Sequence, residues 1–152
     1  SQNVEHHPIH SAWQDQRDHL VSEDFPEEEV EVYSDYLLNK GPAYGQVGAV
    51  HDILKASNGH THIVEREDAI AMRELIESVE GIDIMTPGAV AAVSLVQAVK
   101  DGRVSSNDCV LLNISGGGVK RLKEDIETRQ IKPWLRVNKA DAVEDILKKL
   151  DA

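Results

Sequence analysis

The chain has 152 residues, the length of one compact domain or of a large piece of one. Its formal net charge of −11, with no Lys/Arg cluster, excludes nucleic acid and anionic membrane surfaces as partners, because both need a basic face. Hydrophobic residues at 41% can build a core, but aromatics at 4% restrict that core to Val, Ile, Leu and Ala, which favours an α/β protein over an all-β sandwich.

The first 20 residues are polar and His-containing, and the spacing predicts a helix from about Ser11, as N-cap, to Leu20. An acidic stretch over about 22–32, holding Glu23, Asp24, Glu27, Glu28, Glu29 and Glu31, reads as a solvated surface excursion. Val30, Val32, Tyr33, Tyr36, Leu37 and Leu38 then fit a second helix with one apolar face. Lys40-Gly41-Pro42 breaks it, and a third helix is expected over 46–57, stopped by Asn58-Gly59. Thr61 to Val64 is a short strand candidate. Glu65, Glu67 and Asp68 place negative charge at the start of the next helix, whose stripe is Ala69, Met72, Leu75, Ile76 and Val79 and whose end is Glu80-Gly81.

Ile82 to Met85 reads as extended, and Thr86-Pro87 as a capping hydroxyl followed by proline at the first helical position. The helix over about 88–100 is apolar on most faces and is expected to be buried. Cys109 has no base or helix start beside it, so a buried, unreactive thiol is expected. A lone cysteine forms no internal disulfide, which favours a reducing, cytoplasmic setting. Val110-Leu111-Leu112-Asn113-Ile114 reads as a strand buried on both faces, as in a parallel sheet. A helix over about Val119–Thr128, a last strand over Lys132–Val137 and an amphipathic helix carrying Ala142, Val143, Ile146, Leu147 and Leu150 complete the chain. No apolar run reaches the roughly 18 residues of a membrane span, and no signal peptide is visible. The fully buried strand needs neighbours that this chain barely supplies, and the chain opens on Ser1 rather than Met. Both point to an incomplete domain.

The stretch that carries chemistry is Asn113-Ile114-Ser115-Gly116-Gly117-Gly118. A strand ends in a hydroxyl residue, three glycines follow, and a helix begins; in open parallel sheets ligands bind at such strand ends. Glycines admit a flat or anionic ligand close to the backbone. The run matches neither the dinucleotide fingerprint nor the P-loop, and a plain strand-to-helix turn accounts for it equally well. Glu80 is a second candidate, read either as partly buried between two apolar helices or as a helix end pointing to water. His6 and His7 are adjacent and His60 and His62 lie two apart, but no spacing completes a tetrahedral metal set.

Several segments in order resemble the threonine synthase family of fold-type II pyridoxal-phosphate enzymes, and within it the cysteate synthase branch of methanogenic archaea. They are Ser1-Gln2-Asn3 with Pro8-Ile9 and Ala12-Trp13; Gly41-Pro42-Ala43-Tyr44; Gly48-Ala49-Val50-His51-Asp52-Ile53-Leu54; Glu80-Gly81-Ile82-Asp83-Ile84 with Ala89-Val90-Ala91; and Leu111 to Gly118 with Lys120 to Asp125. The resemblance implies a helix-rich α/β carboxy-terminal portion with a few mostly parallel strands. It implies that the Ser115 hydroxyl meets the pyridine nitrogen of pyridoxal 5'-phosphate, that Gly116, Gly117 and Gly118 shape the wall beside the ring with Asn113 at its edge, and that Glu80 approaches from the side. A hydroxyl partner leaves the ring nitrogen largely unprotonated and moderates its electron withdrawal, which suits replacement chemistry. The implied reaction joins O-phospho-L-serine and sulfite into L-cysteate for coenzyme M synthesis, with threonine synthesis from O-phosphohomoserine the close rival. A non-catalytic, stand-alone acidic binding domain is the reading from another class.

The family's cofactor lysine lies in a Ser-x-Lys setting, and Lys40, Lys55, Lys100, Lys120 and Lys123 all sit in other contexts. The lysine and the phosphate loop are therefore expected in an amino-terminal part of the same enzyme, and the 152 residues alone are expected to be inactive.

Overall fold

The computed structural model describes residues 1–25, 30–127, 129, 131–135, 137 and 143–150. The chain divides into two compact units, residues 1–122 and 123–152.

The first unit is built on a helix pair. Helix α3 (Arg66–Glu80) has Glu67 and Asp68 in its first turn, where the macrodipole favours them. It stops at Gly81, whose φ of +66° suits glycine and whose N–H donates to the Glu77 carbonyl at 3.0 Å. Helix α4 (Thr86–Lys100) buries Gly88, Ala89, Val90, Ala92 and Val93. These small and β-branched residues let α3 pack closely, and Val64, Ala69, Ile84, Ala89, Val90 and Val93 form the core, flanked by Tyr33, Leu37, Met72 and Ile76. Two short strands, β1 (Gln2–Asn3) and β2 (Ile63–Val64), pair in parallel with Gln2 opposite Ile63 and Asn3 opposite Val64. Helix α1 (Pro8–Gln14) is tied to the strand pair through His10, whose N–H donates to Gln2 Oε1 at 2.9 Å and whose ring meets the Thr61 hydroxyl at 2.9 Å, and α2 (Val50–Ala56) packs against the 3₁₀ turn Ala43–Gly45. A last helix of this region, α5 (Val119–Asp125), follows the glycine run. The second unit holds α6 (Val143–Leu150), with Lys148 and Lys149 in its last turn. The chain is thus helix-rich α/β with a parallel strand pair. Among the described residues no helix is long and apolar enough to cross a membrane.

Several expectations need correction. Residues 30–38 form no α-helix; they hold a single 3₁₀ turn, Asp35–Leu37. The cause is tertiary. Asn3, 1% exposed, donates from Nδ2 to the Ser34 carbonyl at 2.9 Å and accepts the Ser34 N–H at Oδ1, 3.2 Å. With its N–H given to Asn3, Ser34 donates to no carbonyl of the preceding turn, so no α-helix runs through it, and its carbonyl also accepts the Leu37 N–H at 3.0 Å in the 3₁₀ turn. The first helix spans Pro8–Gln14 rather than 11–20, and the third is shortened to Val50–Ala56. Thr86 does not cap α4: Met85 stands at that position, and the Thr86 hydroxyl donates to Ser34 Oγ at 2.9 Å. The far end of α4 is not buried, since Val96 and Val99 are exposed.

Residues 110–114 form no strand; Val110, Leu111 and Ile114 are exposed, Leu111 to 93%. Among the described residues nothing offers them a ladder, and a strand exists only with a hydrogen-bonded neighbour. Cys109 is likewise exposed, not buried. No strand forms among the described residues of 132–137. Glu27, Glu28, Glu29, Thr128, Arg136 and Ala142 lie outside the described residues. At the start of the acidic segment, Asp24 is held by Arg17 at 2.6 and 2.8 Å and accepts the Val21 N–H at 2.8 Å.

Candidate functional site

The glycine run is held against the segment between α3 and α4. Ile84 and Gly117 form an antiparallel bridge. The Met85 N–H donates to the Gly116 carbonyl at 3.2 Å, and the Gly118 N–H donates to the Asp83 carbonyl at 3.0 Å. Glycine is required here for contact as well as conformation. A Cβ on Gly117 would stand 2.6 Å from the Asp83 carbonyl oxygen, and one on Gly116, at φ +80°, would stand 2.6 Å from Met85 Sδ. On the other side of Ser115, an Ile114 methyl lies over Gly88 of α4, 2.9 Å from where a Cβ would be.

The acid that organises this region is Asp83, which sequence reasoning did not single out. Its side chain is 6% exposed. Oδ2 accepts the Lys120 N–H at 2.6 Å at the start of α5, and Oδ1 accepts from Arg73 Nη2 of α3 at 2.9 Å. The Lys120 amide, and then the Arg73 guanidinium, hold its carboxyl below the usual carboxylate range, against the opposing effect of burial. Two further links join the same pieces: Lys120 Nζ pairs with Glu77, and Arg121 Nη2 donates to the Gly81 carbonyl at 3.3 Å. The signal available is the Glu80-Gly81-Ile82-Asp83 stretch itself, in which Asp83 is the acid directly before the core residue Ile84.

Asn113, Ser115, Gly116, Gly117 and Gly118 are all exposed, and among the described residues the Ser115 hydroxyl and the Asn113 amide have no hydrogen-bond partner. Glu80 is exposed on the last turn of α3, as a helix end pointing to water, and is joined to neither of them. The structure therefore brings Gly116–Gly118 onto Asp83–Met85 and leaves the polar groups of Asn113 and Ser115 facing outward. Among the described residues no group of three His, Cys, Asp or Glu is placed to hold a metal ion.

No protein-family model matches the chain, and no solved structure does. Curated relatives do. The chain is 40% identical over 152 residues to the cysteate synthase of Methanosarcina barkeri and 41% identical over 152 residues to that of Methanosarcina acetivorans. It is 40% identical over 153 residues to that of Methanocella arvoryzae. Each match covers 97% of this chain and 36% of the relative. The chain is homologous to part of the cysteate synthases. It spans about 36% of the length of these relatives. The helix pair, the latch around Asp83 and the outward Ser115 are features of a cysteate synthase homologue.

Proposed function

We propose that this chain forms one wall of the pyridoxal 5'-phosphate site of a cysteate synthase. The observation that carries the reading is Ser115: an exposed hydroxyl without a partner among the described residues, beside glycines that are themselves pinned. The residues fit the group. A flat ring needs an open surface and one polar group: Gly118 has nothing within 4 Å of where a Cβ would stand and Ser115 is exposed, whereas the Cβ positions of Gly116 and Gly117 are taken up by Met85 and the Asp83 carbonyl, which hold the run in place. When bound, pyridoxal phosphate supplies an electron-withdrawing ring that weakens the bonds around an amino acid's Cα and Cβ.

The chain's own contribution is placement. Ser115 Oγ would donate a hydrogen bond to the ring nitrogen but is far too weak an acid to protonate it. The Gly116–Gly118 backbone would support the ring edge, Asn113 would line the rim, and Glu80 would stand to the side. In the complete enzyme the Cβ–O bond of O-phospho-L-serine breaks and a C–S bond to sulfite forms. Hydrogen sulfite and the phosphoserine dianion give cysteate sulfonate and hydrogen phosphate, so mass and charge balance. The lysine and phosphate-binding loop belong, on this reading, to the remaining part of the enzyme, and the 152 residues alone are inactive. The reading carries with it a cytoplasmic, archaeal setting in coenzyme M synthesis. The curated cysteate synthase relatives support it over threonine synthesis.

The test uses the complete polypeptide that contains this chain, assayed with O-phospho-L-serine and sulfite and read by mass spectrometry. Cysteate should form, stop when pyridoxal phosphate is stripped, and return when it is restored. Threonine from O-phosphohomoserine in place of cysteate would transfer the protein to threonine synthesis, and neither product would defeat the reading.

A further inference from the structure

We infer that Asp83 is a positioning residue for the Ser115–Gly118 surface, acting through the backbone it holds and not through contact with cofactor or substrate. The inference rests on the cofactor-wall reading above and deepens it.

Three consecutive glycines are the most costly residues to order, since each loses the widest conformational range. A hydroxyl at the head of such a run has no fixed position unless both flanks are anchored. The Ile114 methyl over Gly88 anchors one flank. The other depends on Asp83. Its carbonyl takes the Gly118 N–H and its carboxylate takes the Lys120 N–H, three and five residues beyond Ser115. Arg73 of α3 holds the same carboxylate from the opposite side. One side chain thus ties the α3 helix, the 81–85 segment and the start of α5 together.

A carboxylate kept 6% exposed in a chain of net charge −11 is a demanding choice for mere cohesion. A well-packed apolar group serves cohesion as well or better. What the carboxylate offers instead is two aimed acceptor oxygens with fixed geometry. An amide at this position cannot replace it: one end would present a donor to either the Lys120 N–H or the Arg73 guanidinium.

The experiment uses the complete polypeptide containing this chain. Cofactor dissociation constants and the absorption maximum of the bound cofactor are measured for wild type, Asp83→Asn, Ser115→Ala and the double variant. Asp83→Asn should weaken cofactor binding roughly tenfold, the scale of one charged hydrogen bond, and shift the absorption maximum in the same direction as Ser115→Ala. The double variant should bind no more weakly than Ser115→Ala alone, because a positioning residue has nothing left to position. Effects that multiply fully, or an Asp83→Asn enzyme with wild-type affinity and spectrum, would overturn the inference. Should Asp83→Asn fail to fold, Arg73→Met decides: a raised dissociation constant in the folded variant supports the inference, and an unchanged one overturns it. A wild-type polypeptide that binds no pyridoxal phosphate sinks the functional reading first, whereas wild-type binding with an indifferent Asp83 sinks the inference alone.

Discussion

Replacing Gly117 by alanine tests the packing of the candidate surface without touching its polar groups. The added Cβ would stand 2.6 Å from the Asp83 carbonyl oxygen, and because that atom is backbone, relief requires the 116–118 and 83–85 segments to part. Parting them strains the two hydrogen bonds that join them, Gly118 N–H to Asp83 O at 3.0 Å and Met85 N–H to Gly116 O at 3.2 Å. At about 1 kcal/mol each, their loss costs about 2 kcal/mol. A Gly→Ala change also lowers unfolded-state entropy, which offsets about 0.4–1 kcal/mol. The net expectation is a loss of about 1–2 kcal/mol. Urea unfolding of the 152-residue chain reads this as a midpoint lowered by about 1 M at unchanged slope. Gly41→Ala is the control: nothing lies within 4 Å of its Cβ and its φ is not positive, so it should be neutral or slightly stabilising. A Gly117→Ala midpoint equal to or above wild type would show that the two segments are not held together as described.

Asn3→Ala strands the Ser34 N–H in a residue that is 0% exposed, while the Ser34 carbonyl keeps the Leu37 N–H, so unfolding should become easier by about 1–3 kcal/mol, the desolvation cost of one buried group; a loss below about 0.5 kcal/mol would mean that water or another group satisfies Ser34. The pH dependence follows from His10, His60 and His62, whose pKa values are lowered by burial first. The folded chain resists protons that the unfolded chain accepts near pH 6.5. Their contribution is therefore present above about pH 6.5 and lost as pH falls toward the depressed folded values. Urea midpoints measured between pH 8 and pH 5 should decline through that window; a flat or rising profile would contradict the burial assigned to these rings.

The α3–α4 pair was legible because its signals are local. Glu67 and Asp68 at the start, Gly81 at the stop and the Ala69, Met72 and Ile76 stripe all lie within one stretch. Residues 30–38 were misread for the opposite reason: their apolar spacing suits a helix, but the Asn3–Ser34 hydrogen bonds reach across 31 residues. The run Val110–Ile114 exposes a different limit. Hydrophobicity marks a segment that would be buried as a strand, and says nothing about whether a neighbour is present to pair with it. At the site, the glycines are visible as a run, whereas nothing local in the sequence marks Asp83. Its partners, Arg73 and Lys120, lie 10 and 37 residues away, and no local pattern joins them.

In the proposed site Ser115 faces the nitrogen of a pyridine ring, and the nitrogen itself reports on that. With ¹⁵N-labelled pyridoxal phosphate bound to the complete polypeptide, the ring-nitrogen chemical shift should be that of an unprotonated, hydrogen-bonded pyridine, and Ser115→Ala should move it. A pyridinium shift, or a resonance indifferent to Ser115→Ala, would contradict the account.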